Sequence, residues 1–96
     1  MFTLIISEKA NDFLEKIPFK HAQQIVRKMD KLAQDPSSIP SIQLSGHATL
    51  RRAKSGEYRM IYHVKNHVLE LHVLRIGKRN DGEVYHDLDQ LDDDIL

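Results

Sequence analysis

The sequence predicts an α+β domain in which a hairpin of two helices packs on an antiparallel sheet. Three observations predict it. Two consecutive segments, about 8–17 and 18–34, carry apolar residues at helical spacing. Three later segments, about 49–54, 57–64 and 68–76, read as strands joined by short turns. A short apolar run from Phe2 to Ile6 precedes them all and reads as a buried strand.

Each element has its own local signal. Ser7 is a good helix N-cap, and the acids Glu8 and Asp12 suit the positive end of the helix that follows. Ala10, Phe13, Leu14 and Ile17 form its apolar stripe. Pro18 ends this helix and can open the next. The second stripe is Ala22, Ile25, Val26, Met29, Leu32 and Ala33, with Lys20, Arg27, Lys28 and Lys31 mostly off it. Residues 35–46, DPSSIPSIQLSG, are predicted to be a loop, with Ile39, Ile42 and Leu44 spaced to tuck against the core. The strands are set by a Ser55-Gly56 turn and a Lys65-Asn66-His67 turn, which imply an antiparallel meander. The segment from Asp81 to Leu96 has Val84, Leu88, Leu91 and Ile95 at the spacing of a short amphipathic helix.

The 96 residues fit one domain, with 41% hydrophobic and 29% charged residues marking a soluble, globular chain. The absence of cysteine removes disulfides, thiolate nucleophiles and cysteine-based zinc sites, and suits a reducing cytoplasm. No signal peptide is expected from the first residues, and no run approaches the roughly 20 apolar residues of a membrane span. The net charge of zero conceals an asymmetry. Residues 1–79 hold all 14 Lys and Arg against seven acids, a net +7, and residues 80–96 hold the other seven acids and no Lys or Arg. The basic part suits an anionic partner, while the acidic end also suits a simple solubilising tail.

Strand alternation then sorts the side chains. Tyr58, Met60, Tyr62 and Val64 share a face that reads as core, and Glu57, Arg59, Ile61 and His63 share the other. On the third strand Leu69, Leu71 and Val73 are set against Val68, Glu70, His72, Leu74 and Ile76. Arg52, Lys54 and Arg59 can converge on one sheet face, joined by Arg75, Lys78 and Arg79 from the next strand end. Such a cluster suits phosphate binding, or else a solvated face paired locally with Glu57 and Glu70. Tyr85, followed by His86, could stack on an exposed base or anchor the tail. His63 and His72 could face each other, but the six histidines lack metal-site spacing, so neither a metal nor a cofactor is expected.

Residues 44–46 (LSG), 50–64 (LRRAKSGEYRMIYHV), 73–79 (VLRIGKR) and 84–88 (VYHDL) resemble the RelE/ParE toxin superfamily. The resemblance spans residues 1–88, leaving 89–96 as an acidic tail, and implies a RelE-like fold. It implies a type II toxin that acts as a ribosome-dependent endoribonuclease, cutting mRNA in the A site by attack of a 2′-hydroxyl on the adjacent phosphate. By position, Arg59 is implied to stabilise the phosphorane, Arg79 to stabilise the leaving 5′-oxygen or supply its proton, and Tyr85 to stack on and orient the base. Arg51, Arg52, Lys54, Arg75 and Lys78 are the implied RNA-binding cations. Arg52 stands where the family's namesake has a catalytic lysine, and arginine is a poor general base because it stays protonated. Lys54 and His86 are therefore the candidate proton acceptors. Leu50 stands where a further lysine is usual. The implied partners are a cognate antitoxin, mRNA and the ribosome, with operator DNA reached through the antitoxin. The alternatives are a ParE-like inhibitor of DNA gyrase, or an inactive relative serving antitoxin-dependent repression.

Overall fold

The computed structural model describes residues 1–79. Tyr85, His86, the expected tail helix and the expected boundary at residue 88 lie outside the described residues. The elements follow in the order β1 (Thr3–Ile6), α1 (Glu8–Lys16), α2 (Phe19–Gln34), β2 (Ser41–Leu44), β3 (His47–Ser55), β4 (Tyr58–Lys65) and β5 (Glu70–Lys78). The expected helical hairpin lies on one face of a five-stranded sheet ordered β1-β5-β4-β3-β2.

Local chemistry explains the helix limits. The Ser7 hydroxyl accepts a hydrogen bond from the Ala10 N–H, which caps α1 as expected. Pro18 stands at the N-cap of α2, and its carbonyl accepts from the N–H groups of His21 and Ala22. Asp35 ends α2, donating its own N–H to the Lys31 carbonyl while its carboxylate accepts from the Ser37 N–H and hydroxyl. These two bonds, the hydroxyl's first, hold the exposed Asp35 carboxyl below its ordinary value.

The core lies between the helices and the sheet. Ala10, Ile25, Met29 and Leu32 from the helices meet Ala53, Tyr58, Met60, Tyr62, Leu71, Val73 and Ile76 from the strands. The Tyr58 ring sits edge-on to Phe13 and His21, and its hydroxyl lies 2.8 Å from His21 Nδ1. A partly polar tyrosine is thus buried with its oxygen satisfied.

The structure corrects four expectations. Residues 35–46 are not all loop, because Ser41–Leu44 pair with β3 as an edge strand. Ile42 does not tuck into the core. It pairs with Arg52 and remains 51% exposed, whereas Ile39 and Leu44 are buried. The expected antiparallel meander of β3, β4 and β5 is present, and β1 joins it parallel to β5. Val68 and Leu69 belong to the turn before β5, where both are about half exposed and Leu69 takes φ 53°.

The fourth correction concerns the phase of β5. Ile61 pairs with Arg75 and Tyr62 with Val73, so Leu74 is an extra, unpaired residue. Such a bulge exchanges the faces of everything beyond it. Ile76 therefore enters the core instead of joining His72 on the other face, and Arg75 moves out to that face. Ser7 holds the bulge. Its hydroxyl donates to the Leu74 carbonyl at 2.6 Å, and its N–H donates to the Val73 carbonyl at 2.9 Å.

Candidate functional site

The strand register assembles a basic face. Ala53, Met60 and Ile76 are paired across three strands and buried under the helices. One residue along each strand, the side chains point the other way. There Arg52, Ile61 and Arg75 form one cross-strand row, and Lys54, Arg59 and Gly77 form the next. Directly opposed side chains stand about 5 Å apart at Cβ, so Lys54 and Arg59 are immediate neighbours. Arg79 follows two residues after Gly77, and its N–H donates to the Glu57 carbonyl at 2.6 Å. That bond fixes the end of β5 beside the start of β4.

The rows are not a flat solvated surface. Ile61 and Leu50, which share this side of the sheet, are fully buried, and Arg59 has its Nε shielded from solvent. Arg52, Arg59 and Arg75 are half-buried, and Lys54 and Arg79 are exposed. Arg75 turns one Nη back to the Leu74 carbonyl at 2.7 Å, so the bulge both aims this side chain and supplies an acceptor for it. At the far end of the same face His63 and His72 are opposed, as expected. Glu70, one of the two acids that could neutralise the face, is 3.1 Å from His72 Nε2. His63 has its Nδ1 2.8 Å from the Thr49 carbonyl.

Not every expected site residue reaches this face. Arg51 pairs with Tyr62, on the helix side, and its guanidinium donates to the Ser41 hydroxyl at 2.9 Å and the Ser41 carbonyl at 3.2 Å. Lys78 pairs with Tyr58 and so also belongs to the helix side, exposed at the end of its strand. Lys28 joins the site from an unexpected element. From α2 it donates to the Lys54 carbonyl at 2.8 Å. In sequence it was one of several cations off the apolar stripe, and nothing local distinguishes it from Arg27 or Lys31. Among the described residues no group of three His, Asp or Glu side chains is arranged to hold a metal ion, and no helix is long and apolar enough to cross a membrane.

Chemically, several cations of fixed register offer charge stabilisation where negative charge collects, as on a phosphate. Like charges 4 Å apart repel by about 1 kcal/mol in water and about 4 kcal/mol at an effective dielectric constant of 20. An anion bound on this face relieves such repulsion.

A family model described as the ParE toxin of type II toxin-antitoxin system, parDE, matches residues 4–82. No curated protein sequence matches the chain. Among solved structures, the archaeal RelE–RelB complex from Pyrococcus horikoshii OT3 aligns with a TM-score of 0.72 and 25% identity, covering 82% of this chain and 96% of that one. The isolated RelE toxin of E. coli aligns over 100% of both chains, with a TM-score of 0.71 and 24% identity. The RelBE2 toxin–antitoxin complex of Mycobacterium tuberculosis gives a TM-score of 0.72 at 21% identity, covering 81% of this chain and 98% of that one. The shared fold is two helices on a five-stranded, mostly antiparallel sheet.

Proposed function

The chain belongs to the ParE toxin family of type II toxin–antitoxin systems, and we propose that it acts as a ribosome-dependent endoribonuclease on mRNA in the A site. The observation that carries this reading is the cross-strand pairing of Lys54 with Arg59, flanked by Arg52 and Arg75 and extended by Arg79.

In the proposed reaction the 2′-oxygen of one nucleotide bonds to the adjacent phosphorus as the P–O5′ bond breaks. The products are a 2′,3′-cyclic phosphate and a free 5′-hydroxyl. Arg59 stabilises the charge that builds on the non-bridging oxygens, and Arg79 that on the departing 5′-oxygen. The proton of the 2′-hydroxyl passes to Lys54 or to His86, and the 5′-oxygen takes up a proton from Arg79 or from water. Tyr85 stacks on a base and orients the attack. Arg52 and Arg75 hold neighbouring phosphates, with Lys78 as a more distant contact, while Arg51 stays bonded to Ser41 on the helix side. The reaction as written calls for no metal or organic cofactor.

A cognate antitoxin is the proposed partner, because the Pyrococcus and Mycobacterium relatives are toxin–antitoxin complexes. Through it the toxin would reach operator DNA, and the setting would be the cytoplasm. The family match itself favours a second reading, inhibition of DNA gyrase. Induced expression without a partner separates the two. Primer extension is expected to show cuts within translated codons that disappear in Arg79→Ala and Tyr85→Ala. Growth arrest that persists in both variants, with DNA breaks and intact mRNA, overturns the nuclease.

A further inference from the structure

The basic face continues around the sheet edge into a groove that the proposed reaction leaves unused. β2 begins at Ser41, paired with Ala53, so Lys54 extends beyond the last β2 pair. Its carbonyl is met instead by Lys28 Nζ at 2.8 Å. The opening so formed has a volume of roughly 410 Å³, is floored by Ile39, Pro40 and Ile42, and is rimmed by Lys28, Arg52 and Lys54. No acid lines it. Ile42, an apolar side chain, is 51% exposed there.

We propose that this groove is a subsite for one RNA nucleotide flanking the scissile step. The assignment rests on the nuclease reading for its polarity along the strand. The occupant follows from three features. The volume lies in the range of small-ligand sites, roughly 300–1,000 Å³. An apolar floor beneath a cationic rim suits a base lying flat with its phosphate at the edge. Arg52 and Lys54 line both the groove and the basic face, so a strand crossing one passes into the other. Lys28, through its bond to the Lys54 backbone, sets the width of the opening. Ile42 is then a determinant of neighbour-nucleotide preference, since its contact depends on the size of the base above it.

The test uses the full chain carrying Arg79→Ala, which limits toxicity, labelled for NMR and titrated with a short RNA oligonucleotide. Amide shifts are expected at Lys28, Ser41 and Ile42 as well as at Arg52 and Lys54. Ile42→Asp is expected to weaken oligonucleotide binding about 5- to 10-fold, as a lost apolar contact and an added negative charge imply. In the active protein, Ile42→Ala is expected to alter which nucleotide neighbours the cut while cutting persists. Shifts confined to the Arg59 and Arg75 rows, with cleavage preferences unchanged in Ile42→Ala, overturn the subsite and leave the nuclease standing. Shifts at the groove in a protein that never cuts mRNA overturn the nuclease and leave nucleotide binding at the groove standing. Perturbation of the groove only by a co-expressed antitoxin, and never by RNA, identifies a protein-docking groove and overturns the proposal.

Discussion

Replacing Ser7 with alanine removes two hydrogen bonds made by a single oxygen, and its cost can be worked from the structure. As an acceptor, Ser7 Oγ takes the Ala10 N–H at 3.1 Å, the first-turn cap of α1. Loss of such a cap costs about 1 kcal/mol. As a donor, it gives its proton to the Leu74 carbonyl at 2.6 Å, across 67 positions of sequence. That bond is worth about 0.5–1.5 kcal/mol, without the further penalty of an orphaned acceptor, because Arg75 also donates to the Leu74 carbonyl. Ser7→Ala is therefore expected to cost about 1.5–2.5 kcal/mol, or roughly 6–20 °C in Tm for a domain of this size. Two further variants divide the effect. Ser7→Thr keeps both bonds and is expected to lie close to the parent. Ser7→Asp keeps the cap but has no proton for Leu74, so it loses only the second portion. Urea unfolding followed by circular dichroism gives the three free energies. A Ser7→Ala protein within about 0.5 kcal/mol of the parent, or a Ser7→Asp protein as stable as serine, refutes the bulge-pinning role.

Other consequences follow from the same geometry. Arg51→Ala, which severs two bonds to Ser41 on the helix side, is expected to cost about 1–2 kcal/mol in unfolding free energy while RNA affinity holds. Arg52→Ala is expected to weaken RNA binding and to lower the salt dependence of log K by about one unit, as loss of one phosphate contact does, measured by anisotropy across salt concentrations. Asp35→Asn is expected to destabilise the fold at neutral pH. Because Ser37 lowers the folded-state pKa of Asp35, its contribution is present above the ordinary carboxylate value and is lost as pH falls through the lower folded value, so the two unfolding curves converge in strong acid. Gly56→Ala, at a turn position with φ 58° and open space around the added carbon, is expected to cost about 1 kcal/mol from backbone strain alone, read from the same urea titration.

The helices were legible because their signals are local. Ser7, Pro18 and the two apolar stripes each act within a turn or two of the chain. The core face of β4 was equally plain, since Tyr58, Met60 and Tyr62 alternate without interruption. β2 was hidden because four residues between prolines and serines carry almost no strand signal, and the strand exists through its pairing with β3. The phase of β5 was hidden for a different reason. A bulge depends on a partner strand and, here, on a serine 67 positions away, so uninterrupted alternation misassigned Ile76. The same bulge brought Arg75 to the basic face, which clustering in sequence had suggested without a geometric cause. Arg51 and Arg52 show the limit of composition most clearly. The two are adjacent and identical in chemistry, yet pleating sends one to Ser41 on the helix side of the sheet and the other to the basic face. Lys28 was beyond reach because its contact with Lys54 exists only once α2 lies on the sheet.

The most direct test of the central claim is a purified translation system containing ribosomes halted on a defined mRNA codon, with DNA gyrase assayed in parallel. Cleavage is expected inside the A-site codon, dependent on the ribosome and leaving a 2′,3′-cyclic phosphate. Arg59→Ala and Arg79→Ala are each expected to lose about 10²–10³-fold in rate, the scale for removing one group that stabilises transition-state charge. Intact mRNA together with inhibition of gyrase supercoiling by the same preparation would contradict the claim.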